Sequence, residues 1–471
     1  MNYSELDRKI RDIFPEESVY KDDSVRAIFS GRKLPSFIKD WLISKYTDTD
    51  TGKVDKEGIL DFLERHIPQG EEVKLRLIKY PGKPIKLLLR VIVEPDIKSG
   101  LMRFYAPDIG LKRDEGIVSN MLLEEGLSVG EHWGVCELVY RKEENKLGYV
   151  ELINFKPFRP YRVNVEYYMQ ARREFKLEEW LVLLVRSMEY NPHALDKDEK
   201  LMLIRRLLVF VEPNLNVIEL APKGTGKSYV FSNLSKYGIL LSGGYVSRAK
   251  LFYDLQRNTE GIITKYDFVA LDEVQTIRFS DEDEIRGVLK SYLENGTFNI
   301  GNYRGVGHAG FVLLGNIPLD DEKRPVESFY FKELPEVFHE SALLDRFHGF
   351  IEGWKLPRFN EDMKVRGYAL NVEYFSDILH LLRERGEYAD LVESYIKVPQ
   401  KADTRDKKAI VKLSTALLKL LFPDAPINPP SKDDFLKYCL KPAKDMRGII
   451  RYQLSLIDAE YERQVADIDV K

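Results

Sequence analysis

Residues 221–228 read Ala-Pro-Lys-Gly-Thr-Gly-Lys-Ser, lodged between an apolar run and a helical one. Val217, Ile218 and Leu220 precede the loop, and Val230, Phe231 and Leu234 recur at helical spacing after Ser228. A strand, a glycine loop and a helix in that order constrain this part of the chain to an α/β phosphate-binding fold. Gly224 and Gly226 let the backbone approach phosphate oxygens, so that successive N–H groups of the loop Pro222-Lys223-Gly224-Thr225-Gly226, from Lys223 onward, can point at them. Lys227 is expected to reach the β- and γ-phosphates, and the Ser228 hydroxyl to ligate Mg²⁺. Ala221 stands where the motif usually has its first glycine. ATP with Mg²⁺ is the expected ligand pair.

The hydrolytic half of such a site is sought after other strands. Tyr266-Asp267-Phe268-Val269-Ala270-Leu271 is an apolar strand that ends in the adjacent carboxylates Asp272 and Glu273. Asp272 is expected to hold Mg²⁺ through its water shell, and Glu273 to polarise the attacking water. A later strand ends in Gly315-Asn316-Ile317-Pro318, which puts the Asn316 amide where it could orient that water. Between the two strands, Ile285, Val288, Leu289, Tyr292 and Leu293 predict a helix that stops at Asn295-Gly296, followed by a hairpin in which Thr297–Ile300 alternates and Gly301–Gly305 supplies the turn. Tyr303, Arg304 and His308 are its candidate contacts with a nucleic-acid backbone. Arg346, in Leu344-Asp345-Arg346-Phe347, is placed to act on the nucleotide of a neighbouring subunit. Arg405, opening a later helix, is the expected nucleotide contact from the lid, with Lys408 as the alternative.

Composition sets the remaining bounds. The chain has 471 residues, 44% hydrophobic and 31% charged, with a net charge of −4. Contacts with nucleic acid must therefore come from local basic surface. Cys136 and Cys439 lie far apart and form neither a metal nor a disulfide pattern, which fits a reducing cytosol. There is no signal-peptide pattern at the start and no run of about 20 apolar residues, so a cytoplasmic protein off the membrane is expected.

Four regions emerge from periodicity. Residues 1–70 read as helical, with Phe37, Ile38, Trp41, Leu42 and Tyr46, then Ile59, Phe62 and Leu63, at helical spacing. The intervening acidic stretch is not a calcium loop: counted from Asp48, Gly52 falls fifth and Ile59 twelfth. Residues 71–165 read as a small β-rich, OB-like domain of about five strands, including an alternation at Val73, Leu75 and Leu77. Its basic residues (Lys74, Lys79, Lys83, Lys86, Arg90, Lys156, Arg159, Arg162) are interleaved with Tyr80, Phe155, Phe158 and Tyr161. That mixture fits a nucleic-acid platform and a solvated sheet face equally. Residues 166–358 alternate helix and strand as an ATPase core, and 359–471 read as a helical lid with C-terminal helices.

Taken together, APKGTGKSYVF, LLSGGYVSRAKLFYDL, FVALDEVQTIRF, FVLLGNI, SALLDRFHGFIEGWKLP and TRDKKAIVKLSTALLKLLFP resemble the BrxL family of BREX phage-exclusion systems. These are AAA+ ATPases described as Lon-like, and the opening LDRKIRDIFPEE also resembles theirs. The resemblance implies a homo-oligomer, a hexamer or stacked hexamers, that encircles double-stranded DNA, in an architecture similar to MCM helicases. It carries nucleotide roles onto Lys227, Ser228, Asp272, Glu273, Asn316 and Arg346, and other BREX components become expected partners. Longer members carry a Lon-type protease domain after the lid; this chain ends at Lys471, about where it would begin, so no intrinsic proteolysis is expected. Two other readings stay open: a protein remodeller using Gly243-Gly244-Tyr245-Val246 as a channel loop, and a DNA clamp that uses ATP only to assemble.

Overall fold

The computed structural model describes residues 3–471 except 23–24, 26, 33, 35, 49–52, 68–71, 125–126, 128, 143–146 and 158–162. The chain divides into two compact units, Asp22–Arg162 and a second made of Met1–Lys21 with Val163–Lys471. Residues 1–21 thus fall in the second unit and 22–70 in the first. Leu6, Ile10 and Phe14 are buried, and Phe14 packs on Tyr168, Phe175 and Tyr374. The Arg186 guanidinium donates to Asp7 at 2.6 Å, and Asp7 accepts the Tyr368 N–H at 3.0 Å.

In the first unit five strands close into a barrel: β1 (Ile85–Asp96), β2 (Leu101–Tyr105), β3 (Gly116–Val118), β4 (Gly130–Arg141) and β5 (Tyr149–Pro157). The order around the barrel is β1-β2-β3-β5-β4, with β3 and β5 parallel and the other pairs antiparallel. Alternation along β1 sends Leu87, Leu89, Val91 and Val93 inward, where they meet Phe104, Cys136, Leu138 and Leu152. Closure gives each strand a neighbour on both sides. Residues 72–79 depart from the strand expected there: Glu72–Lys79 is a helix that buries Val73 and Leu77 and leaves Leu75 exposed.

The basic residues of this unit are largely engaged within it. Lys74 pairs with Glu115, Lys86 with Glu137 and Arg90 with Asp108; Lys79 and Lys83 lie over the Tyr80 ring. Arg159, Arg162, Phe158 and Tyr161 lie outside the described residues, as do residues 49–52 of the rejected calcium loop. Just after that loop, the Asp55 carboxylate caps the helix Lys56–His66 by accepting the Gly58 N–H.

The second unit is built on a five-stranded parallel sheet: β6 (Val217–Leu220), β7 (Gly238–Val246), β8 (Phe268–Phe279), β11 (Gly310–Gly315) and β12 (Gly349–Glu352). Between β8 and β11 lie the helix Glu282–Asn295 and an antiparallel hairpin, β9 (Thr297–Ile300) and β10 (Tyr303–Val306). The sheet order is β12-β6-β11-β8-β7. Strands β6, β8, β11 and β12 carry buried Val, Ile, Leu and Phe runs, as a sheet covered on both faces requires, whereas the edge strand β7 is only partly buried. Helices Val372–Arg383, Thr404–Leu421 and Lys441–Ser455 come after the sheet. Among the described residues no helix is long and apolar enough to cross a membrane.

Candidate functional site

The sheet order explains why motifs far apart in sequence meet. β6, β11 and β8 are adjacent and parallel, with Ile218, Leu313 and Leu271 at one level. The residues after each strand therefore emerge at the same carboxyl edge, the place where open α/β sheets bind ligands. The loop 221–226 leaves β6, Asn316 leaves β11, and Asp272-Glu273 sit where the regular pairing of β8 breaks. Lys227 donates to the Asn316 amide oxygen at 2.9 Å, so the structure brings these two predicted residues together. Burial lowers the Lys227 ammonium below its ordinary pKa, and the negative charges of Glu219 and then Asp272 oppose that effect.

β8 does not end at Asp272, as the sequence suggested. Its pairing with β7 is interrupted after Asp272↔Ser242 and resumes at Ile277↔Gly244. The intervening residues bulge, with Glu273 at φ 48°. Asp272 is buried and accepts the Glu273 N–H at 2.9 Å, whereas the Glu273 side chain is exposed. The bulge also carries Gln275, whose side-chain amide donates to the Asn316 carbonyl at 2.7 Å.

The loop is braced from below. Arg206, wholly buried, donates to the Glu219 carboxylate at 2.6 and 3.1 Å and to the Thr225 carbonyl at 2.9 Å. The Tyr190 hydroxyl donates to the Gly226 carbonyl at 3.4 Å, and the Phe359 N–H to the Gly224 carbonyl at 2.8 Å. Gly226 adopts φ 74°, and a Cβ there would lie 2.0 Å from the Tyr190 oxygen. The sequence did carry a signal for Glu219: a carboxylate inside a fully buried strand requires a buried cation. It did not say which cation.

A divalent cation fits this donor set. Among the described residues no three His, Cys, Asp or Glu side chains gather as a metal cage. Mg²⁺ commonly takes only one or two carboxylates and completes its shell with phosphates and water. Asp272 and the Ser228 hydroxyl are the residues that would hold it; bound there, it would neutralise charge on the β- and γ-phosphates.

Arg346 and Arg405 lie elsewhere. β12 runs parallel to β6 with Gly349 opposite Val217 and Glu352 opposite Leu220. Arg346 precedes β12, at the amino edge of the sheet, a strand length from the phosphate loop of its own chain. Its carbonyl accepts from the Asn216 amide at 3.5 Å, just ahead of β6. The Arg346 side chain pairs with Glu294 at 3.1 Å. Arg405 joins it there, bonded to Asp345 at 2.9 Å and Glu294 at 3.3 Å. Arg405, expected as a nucleotide contact from the lid, thus opens its helix at the edge opposite the phosphate loop of its own chain. Lys408 is also at Glu294, through its carbonyl. Behind this cluster, buried Arg447 donates to Asp345 at 2.5 Å and Asp406 at 2.7 Å, and Arg451 holds Asp406 at 2.7 Å. No pattern in the sequence pointed to that network.

The hairpin β9–β10 forms as expected, but its predicted contacts differ in how free they are. Tyr303 stacks on Tyr253 with ring centroids 3.6 Å apart, and its hydroxyl donates to Glu260 at 2.9 Å. Arg304 is exposed, and His308 is exposed at the base of the hairpin. Tyr253 and Glu260 belong to a second short hairpin, Tyr253–Asp254 with Thr259–Glu260. At its tip Arg257 is 83% exposed and only 3.9 Å from Asp254, its weak partner.

Two family profiles cover most of the chain. The one described as Lon-like protease BrxL-like, ATPase domain, matches residues 150–467. The chain belongs to this family. The profile of the BREX system Lon protease-like protein BrxL N-terminal matches residues 12–140. The chain is 29% identical over 442 residues to the Lon-like protease BrxL of Escherichia coli O9:H4 (strain HS), covering 93% of this chain and 63% of that protein. It is 28% identical over 433 residues to the protein of the same name from Bacillus cereus (strain H3081.97), covering 90% and 63%. The chain thus spans less than two thirds of the length of these relatives. The phosphate loop and the two carboxylates fall within the match to the Lon-like BrxL ATPase domain.

Proposed function

We propose that the chain is a ring-forming AAA+ ATPase that couples ATP binding and hydrolysis to binding of, or translocation on, double-stranded DNA in BREX antiphage defence. The observation that carries this reading is the division of the site between opposite sheet edges. Lys227, Ser228, Asp272, Glu273 and Asn316 face one edge, and Arg346 with Arg405 the other. A head-to-tail neighbour would supply the arginines, as a closed cyclic assembly does. The core-strand order, with the first strand between the fifth and fourth, supports an AAA+ core. In the barrel the 1-2-3-5-4 order with strands three and five parallel supports an OB-like module.

In this reading Lys227 and the loop amides bind the phosphates, Glu273 takes a proton from the attacking water, and Asn316 orients that water. Arg346 stabilises charge on the transferring phosphoryl group of the neighbour's nucleotide, and Arg405 assists it in trans. Arg304 and Arg257 meet DNA phosphates, and other BREX components are the wider partners.

The direct test is Glu273→Gln in the full chain. We expect nucleotide affinity within about threefold of wild type and turnover reduced by at least about a hundredfold. Wild-type turnover in that variant would remove Glu273 from the mechanism. Tyr245, 80% exposed beside Gly243 and Gly244 at positive φ, keeps the protein remodeller as a second reading. Stimulation of ATPase activity by an unfolded protein and not by duplex DNA would favour it.

A further inference from the structure

The phosphate loop is tied to the core by a buried ion pair that touches no expected ligand. Glu219 lies in β6, with β11 and β12 on either side, and is wholly buried. Such a carboxylate is costly there unless fully paired. Arg206, from the turn Arg205–Leu207, pairs with it through two nitrogens and spends a third N–H on the Thr225 carbonyl. The space around Glu219 is closed as well: a Cβ at Gly353 would lie 2.6 Å from its Oε1. An apolar pair of similar volume would have filled this space at less cost. What the ion pair adds is a fixed donor for one loop carbonyl.

We propose that Arg206, held by Glu219, is a positioning residue that pre-orders the phosphate loop before nucleotide arrives; this rests on the loop being a nucleotide site. A peptide unit has its carbonyl and N–H on opposite sides. Fixing the Thr225 carbonyl toward Arg206 therefore turns the Gly226 N–H away from the core, toward the face where phosphate binds. Tyr190 at the Gly226 carbonyl does the same for the Lys227 N–H. A loop ordered in advance loses less freedom on binding, so its benefit is to affinity and not to the chemical step.

The test uses the full-length chain with Arg206→Met/Glu219→Leu, which removes both charges together, and with Arg206→Lys, which keeps the charge but lacks the fork. Melting curves establish that each variant folds. Kd for ADP and KM for ATP should rise about tenfold in the double variant and about threefold in Arg206→Lys, with kcat within about twofold of wild type. Unchanged Kd and KM in whichever variants fold would overturn the proposal, as would a fall in kcat alone, which marks a merely structural strut. Wild-type protein measured alongside separates the two levels of inference. If wild type binds neither ADP nor ATP, the nucleotide reading itself has failed; if it binds them and the variants bind equally, only the positioning role has.

Discussion

Glu273 stands at φ 48°, a backbone region that a residue with a Cβ occupies at a cost of about 1–3 kcal/mol. The bulge that imposes this conformation turns the side chain outward while Asp272 stays buried beside it, so two adjacent carboxylates acquire different surroundings. Their pairing after an apolar strand was legible from sequence; the bulge was not, because it depends on how β7 and β8 resume their ladder beyond it. His348 makes a prediction at the same scale. It is buried, its Nδ1 accepts the Asn216 N–H at 3.0 Å, and burial, with Lys412, Arg447 and Lys408 nearby, drives its pKa well below the ordinary value. In the unfolded chain it titrates near about 6.5, so below that pH the unfolded state takes up a proton that the folded state refuses. His348 thus contributes stability that is present above about pH 6.5 and lost as pH falls below it. Thermal melts of wild type and His348→Gln between about pH 7 and 5 should show a steeper fall of Tm for wild type. Parallel curves would mean that the buried ring does not behave as described.

Among the elements, the segment 72–79 shows how period alone can mislead. Val73, Leu75 and Leu77 alternate as in a strand, but Val73 and Leu77 are also four apart, and the helix buries those two while Leu75 remains 67% exposed. The three residues fit both periods, and packing on the barrel core made the choice. The barrel strand Gly116–Val118 was missed because so short a run carries no periodic signal. The hairpin β9–β10 was legible from its alternation and from Gly301 at the turn; its partner hairpin at 253–260 was not, since each of its strands is two residues long. The stacked Tyr253 and Tyr303 join the two hairpins that carry Arg257 and Arg304. If these hairpins meet DNA phosphates, Arg257→Ala/Arg304→Ala should weaken binding of a fluorescein-labelled duplex. It should also flatten the dependence of log affinity on log salt, by about 0.9 for each phosphate that no longer meets an arginine. Nucleotide binding should be unaffected, because neither arginine is bonded to the phosphate loop in the chain's own fold. An unchanged affinity and salt slope would move the DNA contacts to another surface.

At the scale of the whole molecule, topology decides which residues can share a site. Lys227, Asp272, Asn316 and Arg346 come in turn along the chain, but only the sheet order separates the first three from the fourth. The strands β6, β11 and β8 gather their carboxyl ends, while Arg346 precedes β12 and is anchored at the start of β6 by Asn216. Arg405, expected as a nucleotide contact from the lid, is drawn to the same far edge by Asp345, which Arg447 holds in turn. If Arg346 completes the site, as proposed, no single chain could close it without unmaking the sheet, whereas a ring would do so at every interface. A mixing experiment distinguishes the two arrangements. Arg346→Ala and Glu273→Gln should each be nearly inactive alone. In a random mixed ring, an Arg346→Ala subunit still offers Glu273 and its loop, and an adjacent Glu273→Gln subunit still offers Arg346. About a quarter of the interfaces would then be intact, and an equimolar mixture should regain activity up to about that share of wild type. If both residues act within one chain, every chain in the mixture lacks one of them, and mixing restores nothing.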